Sequence, residues 1–284
     1  MRHGGSLAFS RFAIVTFLGS DTFGGAEDKY FIACRLLAYQ LLHADETRLQ
    51  DDRIEFIVAV TPTVNIWKRD QLESDGAKVV DVEDARLAWW INTGVTRWKD
   101  QFAKLRILTW TEYARILFID ADTLLLSPLD AIFHSNESMY PAQTNFQHRK
   151  GDEAALPAEY VFLAAQDHQF VGERDHAVPP DPIARHYRRF NPTTMEQSLF
   201  NYAFRRCDAS QKAKEASSAC PRGATPGPMP WGEVDWRWSS TWPSMADVEG
   251  GVVSLHEKLW KTGPAPLRDM WQKWRVRMET ELGA

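Results

Sequence analysis

Five short apolar runs constrain the fold of this chain more than any other feature: RFAIVTFL (11–18), RIEFIVAV (53–60), AKVVDV (77–82), RILFID (115–120) and YVFLAA (160–165). Each is rich in Val, Ile or Phe without the polar alternation of a half-exposed strand, which is the pattern of strands buried on both faces. Between them, KYFIACRLLAYQLLH (29–43) and WKDQFAKLRILTWTEYA (98–114) carry apolar residues at helical spacing, for example Phe31, Leu36 and Leu37, or Phe102, Leu105 and Leu108. Strand and helix therefore alternate. That order predicts an α/β fold with a mainly parallel central sheet flanked by helices.

The chain has 284 residues, enough for a sheet of this kind to bury a sizeable core. Its 33 basic and 38 acidic residues are scattered, with a formal net charge of -5, so no nucleic-acid footprint is expected. The three cysteines, Cys34, Cys207 and Cys220, show no CxxC spacing, and an odd number cannot all pair within one chain. Neither a zinc module nor a disulfide framework is supported. No window reaches the roughly 18 apolar residues of a membrane span. On that basis a cytoplasmic protein is expected, with a Golgi-lumen enzyme as the alternative if an N-terminal anchor is missing from this chain.

The fourth run ends in Asp120-Ala121-Asp122. In an extended segment residues i and i+2 point to one side, so the two carboxylates can converge on one ion. In open α/β sheets ligands gather beyond the carboxyl ends of the strands, where this pair falls. Oxygen ligands suit Mg²⁺ or Mn²⁺, and such an ion commonly neutralises a diphosphate. Two other readings fit the same residues. Asp readily bonds its own neighbouring backbone as a turn residue, and a D-x-D pair can serve a phosphatase-like hydrolase as nucleophile and acid. Ser127-Pro128 is expected to open a helix just beyond. From about residue 207 to 230 the composition shifts to Pro, Gly, Ser and Ala, the signature of a surface loop. Four of the 12 tryptophans crowd PWGEVDWRWSSTWP as Trp231, Trp236, Trp238 and Trp242, and packing onto the core is their expected role.

The block FAKLRILTWTEYARILFIDADTLLLSPLDAIF (102–133) resembles the central block of the glycogenin-like glycosyltransferases of family 8, most closely their fungal members. Further agreement follows in family order at AIVTFLGSD (13–21), TRLQ and IEFIVAVT within 47–61, LESDGAKVVDVE (72–83), EQSLFNYAF (196–204) and VEGGVVSLHEKLW (248–260). The resemblance implies a single GT-A domain over 1–284. It also implies a UDP-sugar donor, a divalent metal usually satisfied by Mn²⁺, and transfer of a hexose or N-acetylhexosamine with retention to a carbohydrate or glycoconjugate acceptor.

Carried over residue by residue, the resemblance makes Asp120, Asp122 and His256 the metal ligands. Lys104 looks towards the donor phosphates, and a second phosphate lysine follows the histidine. In HEKLWKTGP that lysine is Lys258 or Lys261, and Lys261 is preferred. Phe17, Gly19 and Ser20 fall where the family places uridine and ribose, with Phe23 or Tyr30 as the stacking aromatic, and Ala121 joins the cofactor-binding set. Glu196 and Gln197 match an acidic-Gln pair near the donor sugar, although Thr193-x-x-Glu196 and Thr194-x-x-Gln197 also read as capping boxes. The family's Phe-Asn-Ala/Ser-Gly-Phe segment has no counterpart. A stretch on the order of twenty residues is absent near Pro180 to Ile183, judged by the usual length of a strand with its loops. An active enzyme and a catalytically impaired UDP- or UDP-sugar-binding relative are thus both expected readings.

Overall fold

The computed structural model describes residues 11–19, 27–83, 96–149, 155–165, 229 and 232–283. Several of the positions singled out above lie outside these residues: Ser20, Phe23, Glu196, Gln197, Trp231, the capping boxes at 193–197, the 180–183 junction and all of the 207–230 loop but Met229.

Elements run in the order β1 (Phe12–Leu18), α1 (Lys29–Leu42), β2 (Ile54–Val60), α2 (Ile66–Ser74), β3 (Lys78–Asp81), a 3-10 segment (Thr96–Thr109), β4 (Arg115–Phe118) and β5 (Thr123–Leu125). After a second 3-10 segment (Asp130–His134) and the short α3 (Asn136–Met139) come four two-residue strands. These are β6 (Ala142–Gln143), β7 (Glu159–Tyr160), β8 (Leu163–Ala164) and β9 (Gly232–Glu233). A short 3-10 turn (Trp236–Trp238) leads to β10 (Ser240–Thr241), α4 (Met245–Glu249), β11 (Ser254–His256) and α5 (Ala265–Leu282).

The central sheet has the order β3-β2-β1-β4 and every pairing in it is parallel. Period-two alternation, with both faces packed, explains why its two middle strands are apolar at every position but Thr16 and Glu55. From β1, Phe12, Ile14 and Leu18 face α1 and α2 in one core cluster, together with Phe56, Val58 and Val60 of β2. Ala13, Val15 and Phe17 face the opposite way, against Ala103 and Ile107 of the first 3-10 segment, together with Ile57 and Ala59 of β2. β1 and β2 are therefore covered on both sides, as the sequence predicts, whereas β4 is half-buried along its length and the edge strand β3 is exposed at Lys78 and Asp81.

Helix α1 is buried nearly all round because a second layer covers its outer face. Ile32, Leu36 and Tyr39 pack with Leu124 of β5, Leu255 of β11 and Leu267, Trp271 and Met278 of α5. The helix begins where Asp28 accepts hydrogen bonds from the Tyr30 and Phe31 amides, satisfying donors that the first turn leaves free. The other oxygen of Asp28 takes the Lys68 ammonium at 2.8 Å, and Lys68 is wholly buried under the Phe31 and Trp67 rings.

Four expectations are corrected here. Residues 98–114 form a 3-10 segment ending at Thr109 rather than an α-helix, and it buries Phe102, Ala103 and Ile107 while leaving Leu108 58% exposed. YVFLAA is not one strand buried on both faces but contributes to two separate two-residue strands, β7 and β8. Ser127 caps nothing: the helical turn beyond it is 3-10, starts at Asp130 and is preceded by Leu129 with no side-chain cap. Packing onto the core holds for Trp238 alone among the described tryptophans of its cluster, since Trp236 and Trp242 are exposed.

Candidate metal and phosphate site

Sheet order reverses between β1 and β4, both of which are reached from the same carboxyl end. Crevices at such a switch point are where open α/β sheets bind ligands. Beyond β4 the chain leaves the strand at Phe118 and turns through Ala121 and Asp122 into β5. The acidic pair is therefore a turn rather than a stretch of strand. Its convergence comes from the turn and from a second, three-stranded sheet of order β10-β11-β5.

In that sheet β11 runs antiparallel to β5, with His256 opposite Thr123. The Glu257 amide donates to the Asp122 carbonyl at 3.1 Å. Backbone pairing thus delivers His256 to the acidic turn. Its Nε2 lies 3.3 Å from Asp122 Oδ1 and 3.7 Å from Asp120 Oδ2.

The remaining carboxylate oxygens are taken by lysines. Lys104 Nζ donates to Asp120 Oδ1 at 2.9 Å, and Lys258 Nζ lies 3.5 Å from Asp122 Oδ2. Each aspartate thus turns one oxygen to a cation and the other to the imidazole. Lys104 is held over the Phe118 and Phe17 rings at 5.1 and 5.9 Å, a contact favoured for an ammonium over an aromatic face. Asp122 is the deep member, 9% exposed, and Asp120 the open one at 40%.

The electrostatics follow from this geometry. Burial alone raises a carboxyl pKa, yet the His256 hydrogen bond and the nearby His256 and Lys258 charges outweigh it and hold Asp122 below the usual range. Burial alone lowers an imidazole pKa, yet Asp122, by hydrogen bond and charge, and Asp120 by charge push His256 up. For Lys258 the burial effect is overcome by Tyr30, Asp122 and Glu257, so its ammonium is retained well above neutral pH.

Asp120, Asp122 and His256 offer ligand atoms that all lie within 4.8 Å of one another. Neighbouring ligands at about 2.1 Å from one ion sit about 3 Å apart. The 3.3 and 3.7 Å separations are close to that spacing, and two carboxylates with one imidazole suit Mn²⁺ or Mg²⁺ in charge and donor type. The residues fit a divalent cation.

The other expected site residues are distributed as follows. Phe17 lies within β1 with its ring buried among Val15, Ile57 and Ala59, not in the loop after the strand. Gly19 follows β1 directly, and an added Cβ there would come within 3.3 Å of the Phe17 ring. Ala121 is buried in the core cluster that includes α1. Lys261 is exposed, and of these two downstream lysines Lys258 is the one beside the acidic pair.

Two contributors escaped sequence reasoning. The Glu257 carboxylate accepts from the Lys258 amide at 2.8 Å and the Thr262 hydroxyl at 2.6 Å, which shapes the turn carrying Lys258. Gln40 of α1 is wholly buried; its amide donates to the Leu125 carbonyl at 2.8 Å and accepts from the Leu125 amide at 3.0 Å. It closes the open edge of β5 just beyond the acidic turn. A glutamine inside an apolar helix face is the signal that points to such a bond.

No family model matches the chain. Two uncharacterized proteins of Schizosaccharomyces pombe are each 24% identical to it, one over 302 residues (87% of this chain, 72% of the relative) and the other over 289 residues (84% and 71%). Among solved structures, that of the apo-form glycosyltransferase GlyE of Streptococcus pneumoniae superposes with a TM-score of 0.48 at 12% identity. A second GlyE structure gives a TM-score of 0.43 at 12% identity. Both matches cover 94% of this chain and 60% of the GlyE chain, so this chain spans less than two thirds of that protein. Among the described residues no helix is long and apolar enough to cross a membrane.

Proposed function

We propose that this protein is a metal-dependent retaining glycosyltransferase of GT-A fold that uses a UDP-sugar donor. One observation carries the reading: Asp120, Asp122 and His256, distant in sequence, converge with Lys104 and Lys258 on their two flanks. A site with this balance of charge suits a diphosphate bridged to a divalent cation better than it suits either alone. The sequence resemblance to glycogenin-like enzymes supports the same assignment.

In the proposed reaction Asp120, Asp122 and His256 would hold the ion, Mn²⁺ or Mg²⁺, which would supply Lewis-acid stabilisation to a departing diphosphate. Lys104 and Lys258 add fixed positive charge from opposite sides of the acidic turn, preorganised by the Phe17 and Phe118 rings and by the Glu257-braced turn. Among the described residues no side chain at the site reads as an activated nucleophile. A front-side displacement, in which the leaving phosphate assists the incoming hydroxyl, is the consistent route to retention. A phosphatase-like role would require Asp120 as a free nucleophile, whereas its oxygens face Lys104 and His256.

The test is UDP-sugar hydrolysis and transfer with Mn²⁺ over a panel of hexose and N-acetylhexosamine donors, for the wild type and Asp122→Ala. Activity that needs Mn²⁺ and is lost in the variant is the expected result. Equal rates in the two proteins would overturn the assignment. Mn²⁺-dependent UDP binding without turnover of any donor would identify the non-catalytic relative instead.

A further inference from the structure

The residues of β1 that face the first 3-10 segment are Ala13, Val15 and Phe17, and Gly19 is the next position of that row by period two. One face of the 3-10 segment matches the row. In a 3-10 helix positions i and i+3 eclipse, with a rise of about 6 Å per turn, close to the about 6.6 Å spanned by two strand residues. Ile107 packs in the same cluster as Val15, Lys104 lies over the Phe17 ring at 5.9 Å, and the Gln101 side-chain amide is 3.7 Å from where a Cβ on Gly19 would stand. The two rows therefore run side by side out of the core and past the carboxyl end of β1.

Lys104, in the middle of the row, donates to Asp120 at 2.9 Å. Gln101 stands one turn further out, at the mouth of the β1–β4 crevice. Its side chain is half-buried, and its amide makes no hydrogen bond among the described residues. Beside it, Gly19 is not one of the glycines with a left-handed backbone, so the turn itself does not require glycine there. A methyl group at that position would touch both the Phe17 ring, at 3.3 Å, and the Gln101 amide. Glycine keeps the space between them clear.

We infer that the Gln101 side-chain amide hydrogen-bonds the nucleoside half of the donor and sets how tightly the nucleotide is held. This rests on the donor assignment made above. A diphosphate held by Lys104 and the acidic turn carries two substituents, the nucleoside and the sugar. In open parallel sheets the nucleotide lies over the carboxyl ends of the strands at the switch point, and that is the side on which Gln101 and Gly19 stand. The opposite flank, with His256 and Lys258, belongs to the second sheet. A side-chain amide donates and accepts at once, which matches the imide edge of uracil and the hydroxyls of ribose alike.

The test is calorimetry on the full chain with MnCl₂ and three probes: UDP, ribose 5-diphosphate and methyl diphosphate. Gln101→Met keeps the length and packing of the side chain but cannot form the hydrogen bonds. It should bind UDP about tenfold more weakly than wild type, the loss expected for a donor-acceptor pair of bonds, and methyl diphosphate equally well. A penalty that persists with ribose 5-diphosphate assigns the contact to the ribose, and one seen with UDP alone assigns it to the base. Equal UDP affinity in the two proteins would overturn the inference and leave the donor assignment standing. The same penalty on methyl diphosphate would also overturn it, because Gln101 would then act through the fold or the phosphates. If wild type binds methyl diphosphate but gains nothing from the nucleoside of UDP, the donor assignment falls and the inference with it.

Discussion

Replacing Gln40 with Leu tests how the fold holds the acidic turn in place. The substitution keeps roughly the same volume in a site of zero exposure but removes both bonds to Leu125, which is itself fully buried. Leu125 cannot find these partners elsewhere in its sheet, because β5 is the edge strand and its other side already pairs with β11. An unsatisfied buried N–H or C=O costs about 1–3 kcal/mol, so two cost about 2–6 kcal/mol. The added apolar contact of leucine offsets about 1–2 kcal/mol of this. A net loss of about 3 kcal/mol is expected, or roughly 6–12 °C in Tm at the about 2–4 °C per kcal/mol typical of larger domains.

The loss should be local as well as global, since β5 begins directly after Asp122. Urea unfolding gives the first quantity, and hydrogen exchange at the Leu125 amide gives the second. In Gln40→Leu that amide should exchange at least as fast as the surrounding strand opens, and Mn²⁺ should bind more weakly than to wild type. A stability change below about 1 kcal/mol together with a Leu125 amide still protected would refute the reasoning, because either group would then have found another partner.

Three further outcomes follow from the same geometry. Lys68→Met strands the buried Asp28 carboxylate at the start of α1 and should cost about 3–5 kcal/mol in urea unfolding; a neutral result would mean that Asp28 is reached by water. Lys258→Ala should weaken UDP binding about tenfold, the loss of one charge-assisted contact, whereas Lys261→Ala should stay within about twofold of wild type, since Lys258 is the lysine beside Asp122; calorimetry on both variants decides between them. Because His256 is shifted up by Asp122, Mn²⁺ must displace its proton, and Mn²⁺ affinity should rise as pH climbs through that raised pKa. The sign for the ion-free protein is opposite. The stabilisation from protonated His256 is complete below its unfolded pKa of about 6.5 and is lost as pH rises through the folded value. Melts at pH 6 and pH 9 should show Mn²⁺ stabilising the protein far more at the higher pH; an equal gain at both would count against His256 as a ligand.

The elements that sequence reasoning placed well are those whose partners surround them. β1, β2 and α1 fall within the expected 11–18, 53–60 and 29–43, because burial on all sides demands an apolar residue at nearly every position. The segment around Lys104 was misread for the converse reason. Its apolar residues are spaced for a helix, but only Phe102, Ala103 and Ile107 meet the sheet, and a 3-10 turn satisfies that contact. The two-residue strands around 160–165 depend on neighbours far along the chain, β6 for β7 and β9 for β8, which no local pattern encodes.

The site divides along the same line. Asp120 and Asp122 announce themselves locally, since two carboxylates beside a buried run need compensation. Only the family resemblance points from the sequence to His256 and Lys104, because what joins them to the pair is strand register and the approach of the 3-10 segment. The resemblance leaves Lys258 or Lys261 as the second lysine and prefers Lys261, whereas the geometry puts Lys258 beside Asp122. What decides between them is the turn beyond β11, where Glu257 binds the Lys258 amide and the Thr262 hydroxyl, and the Lys258 ammonium lies beside Asp122. Sequence spacing locates a lysine along the chain, but a buried carboxylate that braces a turn decides which lysine stands beside the acidic pair.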